Sequence, residues 1–215
     1  MLNMSPHTKL QRASFGGGPS EQVNDYRGLD EFIDTPRGKL LRQIVDPFEY
    51  RERLTQPKLV ILATNDRYWP LNACDLYWND LQGEKHLIYV PNNGHGIQDR
   101  ARLIAGLNAL NRRVITGKPL PNLEWSFRNG DDDVQLNIVS DVRPSRVQIW
   151  SAKPPTLDFR ESKWSPVVAQ AADAAFVHKQ PVPDAGYAAI LGEAVFHEET
   201  ENQFWLSTNV RIIPS

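Results

Sequence analysis

The sequence is poor in cysteine and has no long apolar run. Its 215 residues include a single cysteine, Cys74, which excludes an intrachain disulfide and any metal site built from several cysteines. No stretch approaches the roughly 20 apolar residues that a membrane-spanning helix needs, and the first residues lack the charged and apolar regions of a signal peptide. We therefore expect no membrane insertion. The sequence by itself leaves the compartment open.

A strong excess of charge of one sign is also absent. The chain has 24 Lys+Arg against 26 Asp+Glu, for a formal net charge of -2, and its charges form no long runs. Nucleic-acid-binding surfaces are usually strongly positive, so we expect no nucleic-acid partner. His7, His178 and His197 are scattered without the spacing of metal ligands, and the carboxylates at 131–133 are typical of a solvated turn. We expect neither a metal nor another cofactor.

What the chain does contain is a series of short helical signals in its first quarter. Residues 1–24, with a glycine run at 16–18, show little apolar periodicity and predict a loop. From 25 to 54, apolar residues recur at helical spacings, and Thr35-Pro36 and Asp46-Pro47 are typical helix starts. Three short helices are expected there.

The next part of the chain predicts a β-α-β-α order. Residues 58–63 form an almost continuous apolar run, which is typical of a parallel strand buried on both faces. A helix over 70–81 ending at Gly83, a strand over 86–90 and a long amphipathic helix over 97–114 follow. The apolar stripe of that last helix consists of Ile104, Leu107, Leu110 and Val114.

After residue 118 the hydrophobic period changes from helical spacing to two. About seven short strands fit into 122–213, as in a small antiparallel, immunoglobulin-like sandwich. The predicted fold class is thus α/β plus all-β, with a partial α/β domain (two core strands and their helices) over 1–118 and a β-sandwich over 119–215. Two parallel strands cannot bury both faces of such a core. We expect the missing strands to come from an upstream segment or from another chain, including a second copy.

Two candidate catalytic residues follow the two predicted parallel strands. Asp66 lies after the first strand and His95 after the second, and ligands bind outside the carboxyl ends of such strands. A crossover of this size returns the second turn beside the first, and acid before histidine is the chain order of an α/β-hydrolase triad. A structural alternative is equally open: Asp66 caps the helix that starts near Pro70, and His95 belongs to the start of the next helix.

Two aromatic residues lie next to the candidate acid. Tyr68 and Trp69 are close enough to line a substrate pocket, although aromatic side chains beside a strand end are commonly core residues. Both interpretations remain open at this stage.

Several segments of the chain are characteristic of one family. The central ones are VDPFEYR at 45–51, PKL at 57–59, TNDRYW at 64–69, LQGEK at 81–85 and YVPNNGH at 89–95, and further ones lie at 2–4, 14–17, 24–26, 149–152, 158–160 and 206–208. These segments resemble the PhoPQ-activated pathogenicity-related family and are similar to the eukaryotic autocrine proliferation repressors. The resemblance implies that residues 1–118 are the last two core strands, with their helices, of an α/β-hydrolase domain followed by a β-sandwich, with Asp66 and His95 in the places of the triad acid and base. It also suggests an extracytoplasmic, periplasmic or secreted location.

The sequence departs from that pattern at the nucleophile. No Gly-x-Ser-x-Gly occurs, and Ser20 lacks both the second glycine and the preceding strand of a nucleophile elbow. We therefore predict the C-terminal part of a serine hydrolase of ester or peptide bonds, inactive alone, with a small-molecule, peptide or carbohydrate substrate. The alternative is a non-catalytic, secreted binding or signalling protein that uses the β-sandwich.

Overall fold

A computed structural model describes residues 2–15 and 28–215 of the chain. The α-helices are α1 (Met4–Ser14), α2 (Leu29–Phe32), α3 (Pro36–Val45) and α4 (Arg100–Thr116), and 3-10 helices span Pro47–Arg53, Ala73–Leu76 and Trp78–Asp80. The strands are β1 (Lys58–Ala63), β2 (Lys85–Val90), β3 (Leu123–Asn129), β4 (Asp133–Ser140), β5 (Arg146–Ala152), β6 (Ser165–Val168), β7 (Gln170–Ala172), β8 (Ala175–Pro181), β9 (Tyr187–Phe196), β10 (Phe204–Ser207) and β11 (Arg211–Pro214). We call the described residues up to 118 the mixed part and residues 119–215 the β-rich part.

Helix α1 occupies a segment for which the sequence predicts a loop, so that prediction is wrong for residues 4–14. The reason is that the buried side of this helix is polar, and apolar periodicity therefore cannot reveal it. Its buried residues are Ser5, His7, Thr8 and Gln11. The glycine run at 16–18 and Ser20 lie outside the described residues.

The three short helices predicted after this segment are present. Thr35 accepts a hydrogen bond on Oγ1 from the Gly38 backbone N–H at 3.1 Å and so caps α3. Asp46 caps the following 3-10 helix through Phe48. The same Asp46 carboxylate accepts from the backbone N–H of Met4 at 2.7 Å. One carboxylate thus fixes the starts of two helices.

Strands β1 and β2 form a parallel pair whose last partners are Ala63 and Val90. β2 is buried along almost its whole length, whereas the side chains of β1 are mostly only partly buried, contrary to the prediction of a strand buried on both faces. The second edge of β2 lies beside β10, where Ser207 Oγ accepts from the Tyr89 backbone N–H at 2.9 Å. Within residues 2–15 and 28–215, no strand pairs with the outer edge of β1.

The predicted helix over 70–81 is not continuous. Two 3-10 helices stand there, separated at Tyr77, whose backbone has φ -145° and ψ -16°. This break lets both Tyr77 and the next residue, Trp78, bury their rings, with exposed fractions of 5% and 9%. Neighbouring residues of an α-helix point about 100° apart, so core packing of two consecutive aromatic rings here favours the break.

Helix α4 is present, but it starts at Arg100, after the N-cap residue Asp99. Its predicted apolar stripe is not its buried side: Ile104, Leu107 and Val114 are 55%, 51% and 64% exposed. Instead, Gly106 and Ala109 are buried. A Cβ at Gly106 would lie 2.6 Å from Ile88 Cδ1, so the helix approaches β2 too closely for large side chains.

The β-rich part contains two antiparallel sheets built from nine strands, where the sequence predicts about seven. One has the order β10-β9-β5-β6 with β11 also on β9, and the other has the order β3-β4-β8-β7. Side chains from both sheets, among them Ile138 and Ile149, share one hydrophobic core. A Cβ at Gly192 would lie 2.2 Å from Ile138 Cδ1, which shows how closely the sheets approach each other.

Candidate active site

The carboxyl ends of β1 and β2 continue into two turns that stay hydrogen-bonded to each other. The backbone N–H of Thr64 donates to Val90 O at 3.2 Å, and that of Asn65 donates to Asn93 O at 2.9 Å. Thr64 Oγ1 also accepts from the Asn92 backbone N–H at 2.9 Å. These bonds hold the two turns side by side, as the strand order predicts.

Asp66 and His95 meet across this pair of turns. His95 Nδ1 lies 2.9 Å from Asp66 Oδ2. The carboxylate side chain is 8% exposed and the imidazole 50% exposed, so the acid is buried while one side of the ring faces solvent. The two residues singled out by the sequence are therefore in direct contact.

The second oxygen of Asp66 has a structural role. Asp66 Oδ1 accepts from the backbone N–H of Tyr68 at 2.7 Å and of Trp69 at 3.1 Å, which is the geometry of an Asx turn. The prediction that Asp66 caps a helix near Pro70 is wrong, because the next helix begins at Ala73 after the N-cap residue Asn72. The structural alternative for His95 is wrong as well, because the N-cap of α4 is Asp99, which accepts from the Arg102 backbone N–H.

This arrangement gives the imidazole a defined tautomer. An ionised carboxylate only accepts hydrogen bonds, so the ring proton belongs on Nδ1, which faces Asp66. The second nitrogen, Nε2, then carries a lone pair, and the buried carboxylate would stabilise the ring after it takes up a proton. Chemically, the pair is suited to act as a general base.

The two aromatic residues predicted beside the acid also lie beside the base. The ring centroid of Tyr68 is 4.6 Å from that of His95, and that of Trp69 is 6.0 Å away. Gln11 of α1 donates a hydrogen bond from Nε2 to the Tyr68 carbonyl at 2.7 Å and so stabilises the turn that follows β1. Their role in substrate binding stays a prediction.

A loop of the β-rich part braces both turns, and sequence reasoning missed it. Asn65 Nδ2 lies within hydrogen-bond distance of the carbonyls of Phe159, Arg160 and Ser162, at 3.2, 3.2 and 2.6 Å. Asn92 exchanges two hydrogen bonds with the Trp164 backbone, at 2.8 and 3.0 Å. Because these partners are 72 to 97 positions apart in the sequence, no local pattern could have found them.

A buried ion pair joins α4 to the β-rich part. Arg102 Nε donates to Glu193 Oε2 at 3.0 Å, and the Glu193 side chain is fully buried. Gln148 and Trp150 also donate to this carboxylate. The charge is therefore well compensated, and it ties the helix after His95 to β9.

Two cavities lie near these elements. The larger groove, of about 720 Å³, is at the amino end of β2 and is lined by Trp78 and Trp125, whereas Asp66 and His95 do not line it. The smaller one, of about 160 Å³, is lined by Asp66 and Trp69 on one side and by His7 on the other. Within the part of the chain that the structure describes, no group of three or more metal-ligating side chains occurs, and no helix is long and apolar enough to cross a membrane.

Comparison with known proteins places the chain beside one family. The family model for the PhoPQ-activated pathogenicity-related protein matches residues 1–160. Autocrine proliferation repressor protein A of Dictyostelium discoideum is 32% identical over 162 residues, which cover 71% of this chain and 33% of that protein. The chain thus spans about a third of the length of this curated relative.

One solved structure, a Br derivative of BhCBM56, aligns with this chain at 7% sequence identity. The alignment covers 46% of this chain and 97% of the BhCBM56 chain. Its TM-score is 0.32, and a likeness at this level contributes nothing to the interpretation of the fold or of the site.

Proposed function

The chain belongs to the PhoPQ-activated pathogenicity-related protein family, and we propose that it forms the acid-and-base half of a serine-type hydrolase acting on ester or peptide bonds. In this proposal the mixed part is the end of an α/β-hydrolase domain, and the β-rich part is an immunoglobulin-like sandwich that braces it. The observation that carries the proposal is the hydrogen bond of 2.9 Å between His95 Nδ1 and Asp66 Oδ2 at the carboxyl ends of adjacent parallel strands.

The division of labour between the two residues follows from their burial. Asp66 is buried and fixed by two backbone N–H groups, so it can hold the imidazole but cannot easily move. His95 is half exposed, and its Nε2 is the atom that would take the proton from a nucleophile and return it to the leaving group. Position and burial thus support these proposed roles of acid and base, and we propose Tyr68 and Trp69 as walls of the substrate site.

The proposal requires a nucleophile from residues that this sequence does not contain. No Gly-x-Ser-x-Gly is present, and the described residues leave the outer edge of β1 without a pairing strand. A relative three times as long as the matched region supports the idea that further strands, with the serine elbow, pair at this edge. We accordingly expect negligible turnover from the 215-residue chain alone, since loss of a triad nucleophile removes most of the rate enhancement.

The test compares the isolated chain with the protein captured from its source cells. The captured protein is weighed by intact mass spectrometry and treated with a fluorophosphonate probe, which labels activated serines. We expect a mass well above 24.4 kDa, labelling of a serine outside this sequence, and loss of labelling in His95→Ala. His197→Asn is the matched control, because His197 is an exposed histidine of the β-rich part with a positive φ that asparagine tolerates. Turnover by the isolated chain that His95→Ala abolishes, or a longer protein that never labels, would contradict the proposal.

A second candidate function is signalling without catalysis. It is supported by the name of the Dictyostelium discoideum relative, a repressor of autocrine proliferation. Adding purified wild-type protein or His95→Ala protein to proliferating source cells separates the two candidates. Equal repression by both proteins favours signalling, whereas repression that depends on His95 favours hydrolysis.

A further inference from the structure

The cavity of about 160 Å³ is bordered by Asp66, by His7 of α1, by the end of β1 and by the segment that begins at Trp69. Its walls are mainly apolar or aromatic, and they include Leu62, Leu71 and Tyr89. Besides the two tyrosines of the lining, its polar side chains include those of Asp66 and His7. A space of this size matches one that accommodates a benzene-sized molecule.

His7 is the unusual member of this lining. The residue is only 3% exposed, and neither of its ring nitrogens has a hydrogen-bond partner. Its ring contacts Trp69 edge-on, with a centroid distance of 5.0 Å and an interplanar angle of 89°. Buried polar atoms are nearly always hydrogen-bonded, so an orphaned imidazole calls for an explanation.

Tyr89 and Asp66, by contrast, already have hydrogen-bond partners. Tyr89 Oη donates to Leu71 O at 2.9 Å and also contacts Asn209. The two oxygens of Asp66 are occupied by His95 and by two backbone N–H groups. Among the described residues that line the cavity, His7 is therefore the one with unsatisfied buried nitrogens.

Burial also fixes the state of this imidazole. It lowers the pKa of His7 to about 4, so at neutral pH the ring is uncharged and offers one N–H donor and one lone pair. A neutral ring with both functions matches a hydroxyl or an amide. An anion would be repelled by the Asp66 carboxylate, and a cation would have to displace the hydrogen-bond donors that already occupy both oxygens of that carboxylate, so burying either charge is costly.

We propose that this cavity is a substrate subsite that takes an uncharged, largely apolar group about the size of a benzene ring bearing one hydroxyl or amide, which His7 recognises. The proposal rests on the proposed hydrolase function, because it makes the cavity part of the same site. Trp69 connects the two: its ring touches His7 on one side and lies 6.0 Å from the His95 ring on the other. A group held here sits against the catalytic acid.

The test is a binding experiment on the 215-residue chain, followed by NMR of its 15N-labelled histidine rings. Benzene, phenol and benzoate serve as probes of similar size that are apolar, neutral with a hydroxyl, and anionic. We expect phenol to shift the His7 ring resonances and to bind about ten-fold more tightly than benzene, which is the contribution of one satisfied hydrogen bond. Benzoate is expected to bind most weakly.

Three variants make the result specific. His7→Phe keeps the ring volume but removes the nitrogens, so phenol should lose about ten-fold in affinity while benzene keeps its own. His178→Phe is the matched control, because His178 has an orphaned nitrogen in the β-rich part away from the cavity, and it should bind all probes as wild type does. Ala73→Leu fills the cavity and should abolish binding of every probe.

The proposal is overturned if no probe shifts the His7 resonances, or if His7→Phe binds phenol as tightly as wild type. Because the experiment needs no turnover, it separates this proposal from the hydrolase function. If the longer protein fails to react with fluorophosphonate, the hydrolase function is refuted while the phenol result still stands. If it reacts normally but phenol binding does not depend on His7, only the subsite is refuted.

Discussion

The two parts of this molecule bury their apolar residues to different extents. In the β-rich part, β9 is buried at every position after Tyr187. In the mixed part, Ile44 on α3 and Val114 and Ile115 on α4 are 76%, 64% and 75% exposed, and the outer edge of β1 pairs with no described strand. The two parts nevertheless share their cores, since Ala109 of α4 belongs to the core between the two sheets and Leu191 of β9 belongs to a cluster with Tyr89 of β2. The difference therefore lies at the surface, where the mixed part exposes more large apolar side chains than the β-rich part.

The Asp66–His95 pair lies in the mixed part but is held by the β-rich part. The turn that carries Asp66 is tied to the β-rich part through Asn65, and the turn that carries His95 is tied to it through Asn92. Arg102 adds an ion pair to Glu193. The β-rich part can therefore position a site whose own two-stranded sheet has an edge that pairs with no described strand. Variants in both parts can test how far the two parts depend on each other.

The largest effect is expected from the ion pair between the parts. Arg102→Met leaves the fully buried Glu193 carboxylate without its cation, and breaking a buried pair from one side costs about 3–5 kcal/mol. We expect the free energy of unfolding in urea to fall by that amount. The mixed part should then lose amide protection before the β-rich part in hydrogen exchange.

The double variant Arg102→Met/Glu193→Gln is the control for this prediction. It removes the charge together with its partner, so it should recover most of the lost stability. If the single variant is as stable as wild type, the ion pair does not join the two parts energetically.

The next effect concerns acid stability and His7. The folded pKa of about 4 lies below the ordinary value of 6.5. As the pH falls through this interval, the unfolded chain takes up a proton that the folded chain does not, so stability decreases between pH 6.5 and about 4 and then levels off. The loss is at most about 3 kcal/mol. His7→Phe should remove this component from the pH dependence of urea unfolding.

Carboxylates titrate in the same range, so the His7 component is read as the difference between wild type and His7→Phe. Arg113 holds the pKa of Glu84 at about 2, and this contribution is present in both proteins. His197→Asn, in the β-rich part, should keep the wild-type dependence. If the free energy of unfolding depends on pH identically in wild type and His7→Phe, then His7 does not contribute to the acid sensitivity of the mixed part.

The elements that local patterns predicted correctly are those whose buried side chains are apolar. The period-two runs in β3, β4, β5 and β10 and the continuous run in β1 gave the right strands, because in a sheet the buried face is read directly from alternation. The contact of Asp66 with His95 was also predictable, since strand order alone brings the two turns together.

The elements that local patterns missed have buried faces without large apolar residues. Helix α1 buries Ser5, Thr8 and Gln11, so the hydrophobic period gave no signal for this helix. Helix α4 buries Gly106 and Ala109, so the hydrophobic period predicted the helix but the wrong buried side. The brace from residues 159–164 depends on backbone carbonyls, which any sequence could supply.

A smaller effect is expected from the brace itself. Asn65→Ala removes the amide that contacts three carbonyls of the loop after β5, and leaving buried acceptors unsatisfied costs about 1–3 kcal/mol. We expect faster hydrogen exchange in the turn at 64–69 and a weaker Asp66–His95 hydrogen bond, seen as an upfield shift of the His95 ring N–H proton. Asn122→Ala, an exposed asparagine of the β-rich part, is the control that should change neither.

The smallest change in stability, and the sharpest test of the comparison, comes from the exposed apolar residues themselves. Because Ile44, Val114 and Ile115 face solvent, replacing each with lysine should alter the free energy of unfolding by less than about 0.5 kcal/mol. Apolar patches drive association, so light scattering should show that the triple variant of the 215-residue chain self-associates less than wild type. Val168→Lys in the β-rich part, at a position 70% exposed, should leave association unchanged. If wild type is already a monodisperse monomer with one sharp unfolding transition, the mixed part needs no further segment, and the difference between the two parts is one of surface composition alone.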